Sequence, residues 1–237
     1  MNVFDTTVVS AVNQYAQRSW AFDNAVYLLS NNHLLKGGVL TTLIWWLWFR
    51  DDPRQGERRA HILATFAASV VSMAIARALA LTTPFRLRPL HEAALAFRLP
   101  IGEPPTNLDG WSSFPSDHAT LFFTLATGLL FASRRAGFFA LIYTTVFICL
   151  PRLYLGLHYP TDLLAGAALG ALVAVGANRL LAPQPVMQRA AQWSLAAPAS
   201  FYPLVFLFTF QVAEMFDSTR AVLSAANSFM RAITGHG

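Results

Sequence analysis

Charged residues and cysteines are scarce in this chain of 237 residues. Charged side chains make up 12% of the sequence, about half the share that a water-soluble domain carries. Hydrophobic residues make up 55%, which excludes a disordered chain and argues against an ordinary soluble globule. The single cysteine, Cys149, excludes an internal disulfide, and the sequence has no cysteine–histidine cluster with the spacing of a zinc site.

Lysine is also nearly absent, because Lys36 is the one lysine among 17 basic residues. The net charge is +5, yet the basic residues stand between apolar runs and form no basic face. We interpret them as charges that set membrane topology and bind an anion. We therefore expect membrane lipids as surroundings and no nucleic-acid partner.

Six apolar runs are candidates for membrane-spanning helices, since a bilayer core needs about 20 apolar residues. The runs are 34–49, 60–81, 115–132, 137–157, 161–182 and 201–216. Lipid tolerates only helices or closed barrels, and barrel-like alternation is absent. The sequence therefore predicts an all-α, polytopic membrane bundle of about six transmembrane helices.

We expect a single membrane domain over 1–237. Its parts are an interfacial amphipathic segment at 3–30, a core at about 60–182, an extra helix at about 199–217 and a weak amphipathic candidate at 218–233.

Arginine-rich connections predict the orientation. If the spans alternate, eight arginines fall on one side, which the positive-inside rule makes cytoplasmic. They are Arg50, Arg54, Arg58, Arg59, Arg134, Arg135, Arg179 and Arg189. The opposite side then faces the outside of a bacterial-type inner membrane.

Three clusters of polar residues fall on that opposite side. Ionisable residues at membrane depth are costly and usually functional. The clusters are Arg77 with the PFRLRP stretch at 84–89, the SFPSDH stretch at 113–118 and the PRLYLGLHYPTD stretch at 151–162. The alternation of spans brings all three to the same membrane face.

The second and third clusters have the features of an anion site. Pro115 and Pro160 suit the first turn of a helix, and the free N–H groups of a helix start bind phosphate. Two histidines suit a two-step transfer, with one as nucleophile and one as proton donor. His158 and Asp162 are four residues apart, so they share one face if the turn continues into the helix. The carboxylate could then accept from one ring nitrogen and leave the other for attack.

These residues also have structural interpretations. Arg77 and Arg98 could reach the interface only to solvate their charge, and Asp162 could simply cap its helix. Gly166 and Gly170, in a GAALG stretch, predict close helix packing. The joint occurrence of three clusters, two histidines and one spacing pattern favours a functional site.

The three clusters resemble the motifs of the type 2 phosphatidic acid phosphatase (PAP2) superfamily, integral-membrane lipid phosphatases related in fold to vanadium haloperoxidases. The family patterns are KxxxxxxRP, PSGH and SRxxxxxHxxxD. Arg88 and Pro89 match the end of the first, and residues 115–118 match the second except at one position. Arg152, His158 and Asp162 match the third with its spacing intact.

The resemblance implies the chemistry of each residue. His158 would attack phosphorus and form a phosphohistidine, and Asp162 would orient it. His118 would protonate the leaving oxygen and then activate water. The implied phosphate ligands are Arg88, Arg152 and Ser116. No metal and no cofactor are implied.

The sequence departs from the family at three positions. Leu81 stands where the motif lysine is expected, and Arg77 or Arg86 could supply that cation to the phosphate. Asp117 replaces the motif glycine, so we expect it to pair with an arginine or to meet a substrate proton. Pro151 replaces the motif serine and removes a hydroxyl donor.

The expected activity is hydrolysis of a lipid phosphate or pyrophosphate at the outer membrane face. Undecaprenyl pyrophosphate is the leading substrate by the resemblance, with phosphatidylglycerol phosphate, phosphatidic acid and lipid A phosphate as rivals. The connection at 84–111 contains residues 91–99, which could lie at the interface and cover the site as a lid. Alternatives are phosphotransfer to a lipid acceptor and, more distantly, transport of an anion.

Overall fold

The computed structural model describes residues 2–216, which fold into helices joined by turns and loops. In chain order the helices are α1 (Val3–Asn13), α2 (Trp20–Asn31), α3 (Leu34–Phe49), α4 (Gln55–Thr82), α5 (Asp117–Ala132), α6 (Arg134–Tyr154), α7 (Pro160–Leu180), α8 (Pro185–Ala196) and α9 (Pro198–Ala213). The predicted all-α class is confirmed. The amphipathic candidate at 218–233 lies outside the described residues.

Among the described residues, three helices are long and apolar enough to cross a bilayer, namely α4, α6 and α7. Helices α8 and α9 together would add a fourth span, broken by a bend of 116°. Helices α3 and α5 are apolar but shorter. These helices make the chain an integral membrane protein. They are compatible with about six spans, a number that stays a prediction.

The N-terminal region differs from its predicted form. The sequence predicts one amphipathic segment over 3–30, whereas the structure has two helices, α1 and α2. Gln17, with φ at +64°, lies in the turn between them. The Ser19 side chain then caps α2 by accepting the N–H of Phe22 at 3.3 Å. A hydroxyl cap of this kind starts a new helix, so the segment is divided.

Helix α5 is the centre of the bundle. It packs against α4, α6 and α7, and its apolar side chains Leu121, Phe122 and Leu125 are fully buried. A helix with neighbours on several sides is apolar nearly all round, as the sequence of α5 is.

The glycines of α7 let its backbone touch α5. A Cβ atom at Gly170 would lie 2.3 Å from the carbonyl oxygen of Thr120, and one at Gly166 would lie 2.5 Å from that of Ser116. No side chain fits at such distances. The predicted close packing of the GAALG stretch is confirmed, and it brings the starts of α5 and α7 together.

The arginine-rich connections meet at the other end of the bundle. Arg50, Arg58, Arg134 and Arg135 line one cavity of about 1140 Å³, beside the C-terminal end of α5. The α3–α4 and α5–α6 connections therefore share one end, as the alternation of spans predicts. The histidine pair lies at the opposite end of α5.

Candidate active site

The three polar clusters meet where α5 and α7 begin. Arg88, from the first cluster, places Nη1 at 3.4 Å from Nε2 of His158. Arg152, from the third cluster, contacts Nε2 of His118 in the second. The structure thus brings together the residues of three chain segments that the sequence places at one face.

His158 is buried in the turn before α7. Its Nδ1 atom lies 2.8 Å from the carbonyl oxygen of Ser113. A carbonyl only accepts, so Nδ1 carries the ring proton and Nε2 keeps a lone pair. Asp162 lies near the same nitrogen, with Oδ2 at 3.8 Å from Nδ1. The backbone carbonyl of Ser113 is therefore the nearer partner that fixes the tautomer of His158. The carboxylate of Asp162, which the sequence predicted for this part, lies farther away.

The surroundings of His158 also favour its neutral form. Burial lowers the pKa of His158 below its ordinary value, and Arg88 acts in the same direction, while Asp162 opposes both. Burial disfavours the charged ring because the protein solvates charge less well than water does. At neutral pH the Nε2 lone pair is consequently available.

Asp162 is fully buried, and each of its two oxygens accepts a hydrogen bond from a different partner. Its Oδ2 atom accepts the N–H of Tyr159 at 2.8 Å and caps α7. Its Oδ1 atom accepts from Nη1 of Arg86 at 2.5 Å. The capping interpretation of this residue is confirmed, and capping fixes the carboxylate beside His158.

His118 stands in the first turn of α5, partly exposed. Arginine has no acceptor atom, so Nε2 of His118 accepts the contact from Arg152. The same Nη2 atom of Arg152 also donates to the carbonyl oxygen of Ser30 in α2 at 3.0 Å. Arg152 is buried, and it connects the second histidine to the N-terminal helices.

Arg88 is buried beside His158 and donates to two carbonyl oxygens. Nη1 lies 2.5 Å from that of Leu157, and Nη2 lies 3.2 Å from that of Ser112. Burial lowers the pKa of Arg88 to about 10, which leaves it charged at neutral pH. Its buried Nε makes no hydrogen bond within residues 2–216. Because buried donors are normally paired, this N–H suits a substrate oxygen.

Asp117 forms a salt bridge with Arg77. Of the two expectations for this carboxylate, pairing with an arginine is the one that the structure shows. Arg77 also lies over the ring of Trp111, 5.0 Å from its centroid. Arg77 thus neutralises the negative charge of Asp117, the residue that stands at the position of the motif glycine.

The two remaining phosphate-ligand candidates have protein partners. The hydroxyl oxygen of Ser116 accepts the N–H of Ala119 at 3.4 Å and caps α5, which leaves its proton to donate. Arg86 lies behind Asp162 and binds two carboxylates, those of Asp5 and Asp162. Arg86 is therefore a partner of the acidic residue rather than a neighbour of Nε2.

Several site residues were not found by sequence reasoning. Ser113 acts through its carbonyl, which leaves no mark in a sequence. Glu103 is buried beside the site, with Oε1 accepting from Asn107 at 2.5 Å and Oε2 without a hydrogen bond in the described chain. Burial raises the pKa of Glu103, while Asn107 and Arg152 act in the opposite direction. Lys36, also buried, acts by its charge on His118.

Asp5 was also absent from the predicted site, although the sequence pattern around it indicates a buried residue. It lies on the same helical face as Val9 and Val12, three and four residues being one turn, and both Asp5 and Val9 are buried. A single carboxylate on an apolar face indicates a specific buried partner.

The connection between α4 and α5 covers the site. The N–H of Leu90 donates to the carbonyl oxygen of Gly156 at 3.0 Å, and the Phe97 ring packs where a Cβ of Gly156 would lie, at 2.5 Å. Gly156 has φ at +71°, so the turn before His158 requires glycine for its backbone and for this contact. The connection thus packs on the turn before His158, and its part as a lid stays a prediction.

Comparison with known proteins agrees with this arrangement. Residues 82–184 match the PAP2 superfamily. The Escherichia coli (strain K12) protein named "Putative undecaprenyl-diphosphatase YbjG" is 28% identical over 159 residues, which are 67% of this chain and 73% of that protein. The Bacillus licheniformis "Bacitracin transport permease protein BcrC" is 38% identical over 64 residues, which are 27% of this chain and 31% of that protein. No solved structure matches significantly.

The matched stretch contains both histidines, Asp162 and the arginines that contact the rings. Over residues 82–184 this chain is similar to the PAP2 superfamily.

Proposed function

We propose that this chain is a membrane lipid phosphatase that uses a phosphohistidine at His158. It hydrolyses a phosphomonoester or pyrophosphate of a lipid, with undecaprenyl pyrophosphate as the leading substrate. The match of residues 82–184 to this superfamily and the name of the Escherichia coli relative support this activity. The observation that carries it is the Nε2 lone pair of His158 beside Arg88, together with a second histidine, His118, that Arg152 contacts.

Phosphate binding comes first in the proposed mechanism. The Nε of Arg88 is a buried donor without a hydrogen bond in residues 2–216, and a substrate oxygen could accept from it. The N–H groups at the starts of α5 and α7 add partial positive charge at the same place. Preorganised donors of this kind stabilise the charge that develops on phosphoryl oxygens in the transition state.

Transfer to the enzyme then forms one bond and breaks another. Nε2 of His158 bonds to phosphorus, the bond from phosphorus to the leaving oxygen breaks, and His118 gives that oxygen its proton. A phosphate dianion would compete for Arg152 and favour the protonated ring of His118, because opposite charges attract strongly where water is excluded. The phosphorylated ring of His158 is cationic, and the Ser113 carbonyl and Asp162 stabilise it.

Hydrolysis reverses the roles of the two histidines. His118, now neutral, takes a proton from water while the water oxygen bonds to phosphorus. The bond from phosphorus to Nε2 breaks and its electron pair returns to His158. The products are inorganic phosphate and the dephosphorylated lipid, and His118 is protonated again for the next turnover.

The site is proposed to face the outside of a bacterial inner membrane. The arginine-rich connections gather at the opposite end of the bundle, and the positive-inside rule makes that end cytoplasmic. A lipid substrate could then leave its chains in the bilayer and present only its phosphate to Arg88 and Arg152.

Transport is the competing function, and the name of the Bacillus licheniformis relative describes a transport permease. A transporter binds its solute near the bilayer midplane, between broken helices. The bent pair α8–α9 carries none of the site residues, and the histidines lie at helix starts at one end of the bundle. These features favour hydrolysis.

The proposed function is tested by measuring phosphate release in detergent from undecaprenyl pyrophosphate, phosphatidylglycerol phosphate and phosphatidic acid, with and without EDTA. Wild type should release phosphate, fastest from undecaprenyl pyrophosphate, and EDTA should not matter. His158→Ala should be inactive. His61→Ala is the matched control, because His61 pairs with Asn178 and lines the cavity at the other end.

Three outcomes would contradict the proposal. Absence of release from every lipid would reject the phosphatase activity, and undiminished release by His158→Ala would reject the nucleophile. Phosphate that appears on a second lipid instead of in solution would identify a phosphotransferase.

A further inference from the structure

The N-terminal helix inserts a carboxylate behind the proposed catalytic residues. Asp5 of α1 is fully buried. Its Oδ2 atom accepts from Nη2 of Arg86 at 2.6 Å and from the hydroxyl of Thr161 at 2.6 Å. Its Oδ1 atom accepts the N–H of Thr161 at 3.0 Å. One side chain of α1 thus binds both the first turn of α7 and an arginine of the covering connection.

The same arginine holds Asp162. Nη1 of Arg86 donates to Oδ1 of Asp162 at 2.5 Å and to the hydroxyl oxygen of Thr161 at 2.9 Å. The guanidinium also lies over the ring of Tyr159, 4.1 Å from its centroid. Arg86 therefore bridges two buried carboxylates, one of which faces His158.

We propose that Asp5 is a positioning residue for catalysis, which acts through Arg86 to hold Asp162 against His158. The inference rests on the proposed function, and it assigns a part in the reaction to a helix that lies outside the matched family stretch. Neither Asp5 nor Arg86 touches the reacting atoms in this account.

The charges explain why two carboxylates are needed. Burial alone would raise the pKa of Asp5, but the donors from Thr161 and Arg86 outweigh burial and hold the pKa below its usual value. Arg86 divides its two nitrogens between Asp5 and Asp162, so the group keeps one net negative charge near the nucleophile. That charge stabilises the cationic phosphohistidine, whose other charged neighbours, Arg88 and Arg152, are positive.

Removal of the Asp5 charge would change this balance. Arg86 would then be neutralised by Asp162 alone, and the field of Asp162 at His158 would be cancelled. The rate of phosphoryl transfer should fall. Substrate binding should hardly change, because Arg88 and Arg152 are untouched.

Helix α1 and the turn after it have other attachments, which separate this role from simple anchoring. Asn13 exchanges two hydrogen bonds with the backbone of Arg98, at 2.7 and 2.9 Å. Gln17 donates to the carbonyl oxygen of Leu99 at 2.9 Å. Loss of the Asp5 charge should therefore leave α1 in place, and Asn at position 5 can still accept from Thr161.

The test is a double-mutant cycle on the full-length protein in detergent, with Asp5→Asn and Arg86→Gln, measuring kcat and KM for lipid phosphate release. Asp5→Asn should lower kcat about 10-fold with KM within about twofold, the pattern of a lost transition-state interaction. Arg86→Gln should lower kcat further, since it leaves two buried carboxylates unpaired. The double variant should be no slower than Arg86→Gln, because Asp5 acts through that arginine.

The pH profile separates positioning from loss of structure. Asp5→Asn removes a negative charge near His158, so the acid limb of kcat/KM should move to lower pH. Asn13→Ala is the matched control, since it loosens α1 without touching the charges, and its acid limb should not move. Thr161→Val, which removes the hydroxyl joining Asp5 to Arg86, should lower kcat in the same direction as Asp5→Asn.

Multiplicative losses in the double variant, an unchanged kcat in Asp5→Asn, or a fixed acid limb would overturn the positioning role. If Asp5→Asn does not fold, an unchanged kcat in Thr161→Val would overturn it. A wild-type protein that releases no phosphate from any lipid would instead reject the proposed function itself.

Discussion

The backbone N–H of Ser116 donates to the carbonyl oxygen of Asp162 over 3.2 Å. This bond joins the capping residue of α5 to the first turn of α7. N–H groups at helix starts lack partners within their own helix, and here side chains bind two of them, since Ser116 accepts that of Ala119 and Asp5 accepts that of Thr161. The position of the two histidines thus depends on how closely α5 and α7 approach each other.

Gly170 and Gly176 offer a matched test of that approach. Gly170→Ala should lower the free energy of unfolding by about 1–3 kcal/mol, because its Cβ would lie 2.3 Å from the carbonyl oxygen of Thr120. Gly176→Ala, on the same helix with nothing within 4 Å, should be neutral or slightly stabilising. Thermal unfolding in detergent measures both, and equal melting temperatures would contradict the close packing.

The salt bridge between Arg77 and Asp117 predicts that the two substitutions compensate each other. Arg77→Ala leaves a negative charge at the mouth of α5, where it repels phosphate, so KM should rise about 10-fold. Asp117→Gly in the same chain removes that charge and should return KM to within about threefold of wild type. Kinetics of phosphate release on the single and double variants measure this. A double variant no better than Arg77→Ala would show that the carboxylate is not what repels the substrate.

The lowered pKa of His158 predicts a low acid limb in the pH profile. Only the neutral ring can attack, so kcat/KM should fall as pH drops through the pKa of His158. Because burial lowers that pKa, the fall should lie below about pH 6.5, the ordinary value for histidine.

Asp162→Asn removes the carboxylate that opposes this lowering. The limb should move to still lower pH while kcat drops. Wild type and variant are compared on the same substrate, so that ionisation of the substrate phosphate affects both pH profiles equally. A limb that moves to higher pH would contradict the assigned environment of His158.

The sequence predicted the parts of the site that follow from local periodicity and spacing. Pro160 starts α7 as expected, and the first apolar run coincides with α3. His158 and Asp162 come close as the spacing suggested, with Nδ1 and Oδ2 3.8 Å apart, although His158 precedes the helix that begins at Pro160. The GAALG stretch packs where small residues let backbones meet, and an arginine partner was one of the expectations for Asp117.

The site residues that the sequence did not predict are held by contacts that the spacing of residues along the chain does not reveal. Asp5 and Arg86 are 81 residues apart in the chain, and their pairing requires the whole bundle to be assembled. The Ser113 carbonyl fixes the tautomer of His158, yet every residue has such a carbonyl. Glu103 lies in an irregular connection with no periodic pattern. Tertiary structure alone defines these contacts.

The most direct test of the account is to trap the phosphorylated enzyme. Wild type is mixed with substrate labelled with ³²P in the terminal phosphate, quenched within milliseconds, and digested for mapping of the label. The account predicts label on the peptide that contains His158, stable in alkali and released by acid as a phosphoramidate is, and no label in His158→Ala. Full turnover without any labelled protein, or label on another residue, would contradict it.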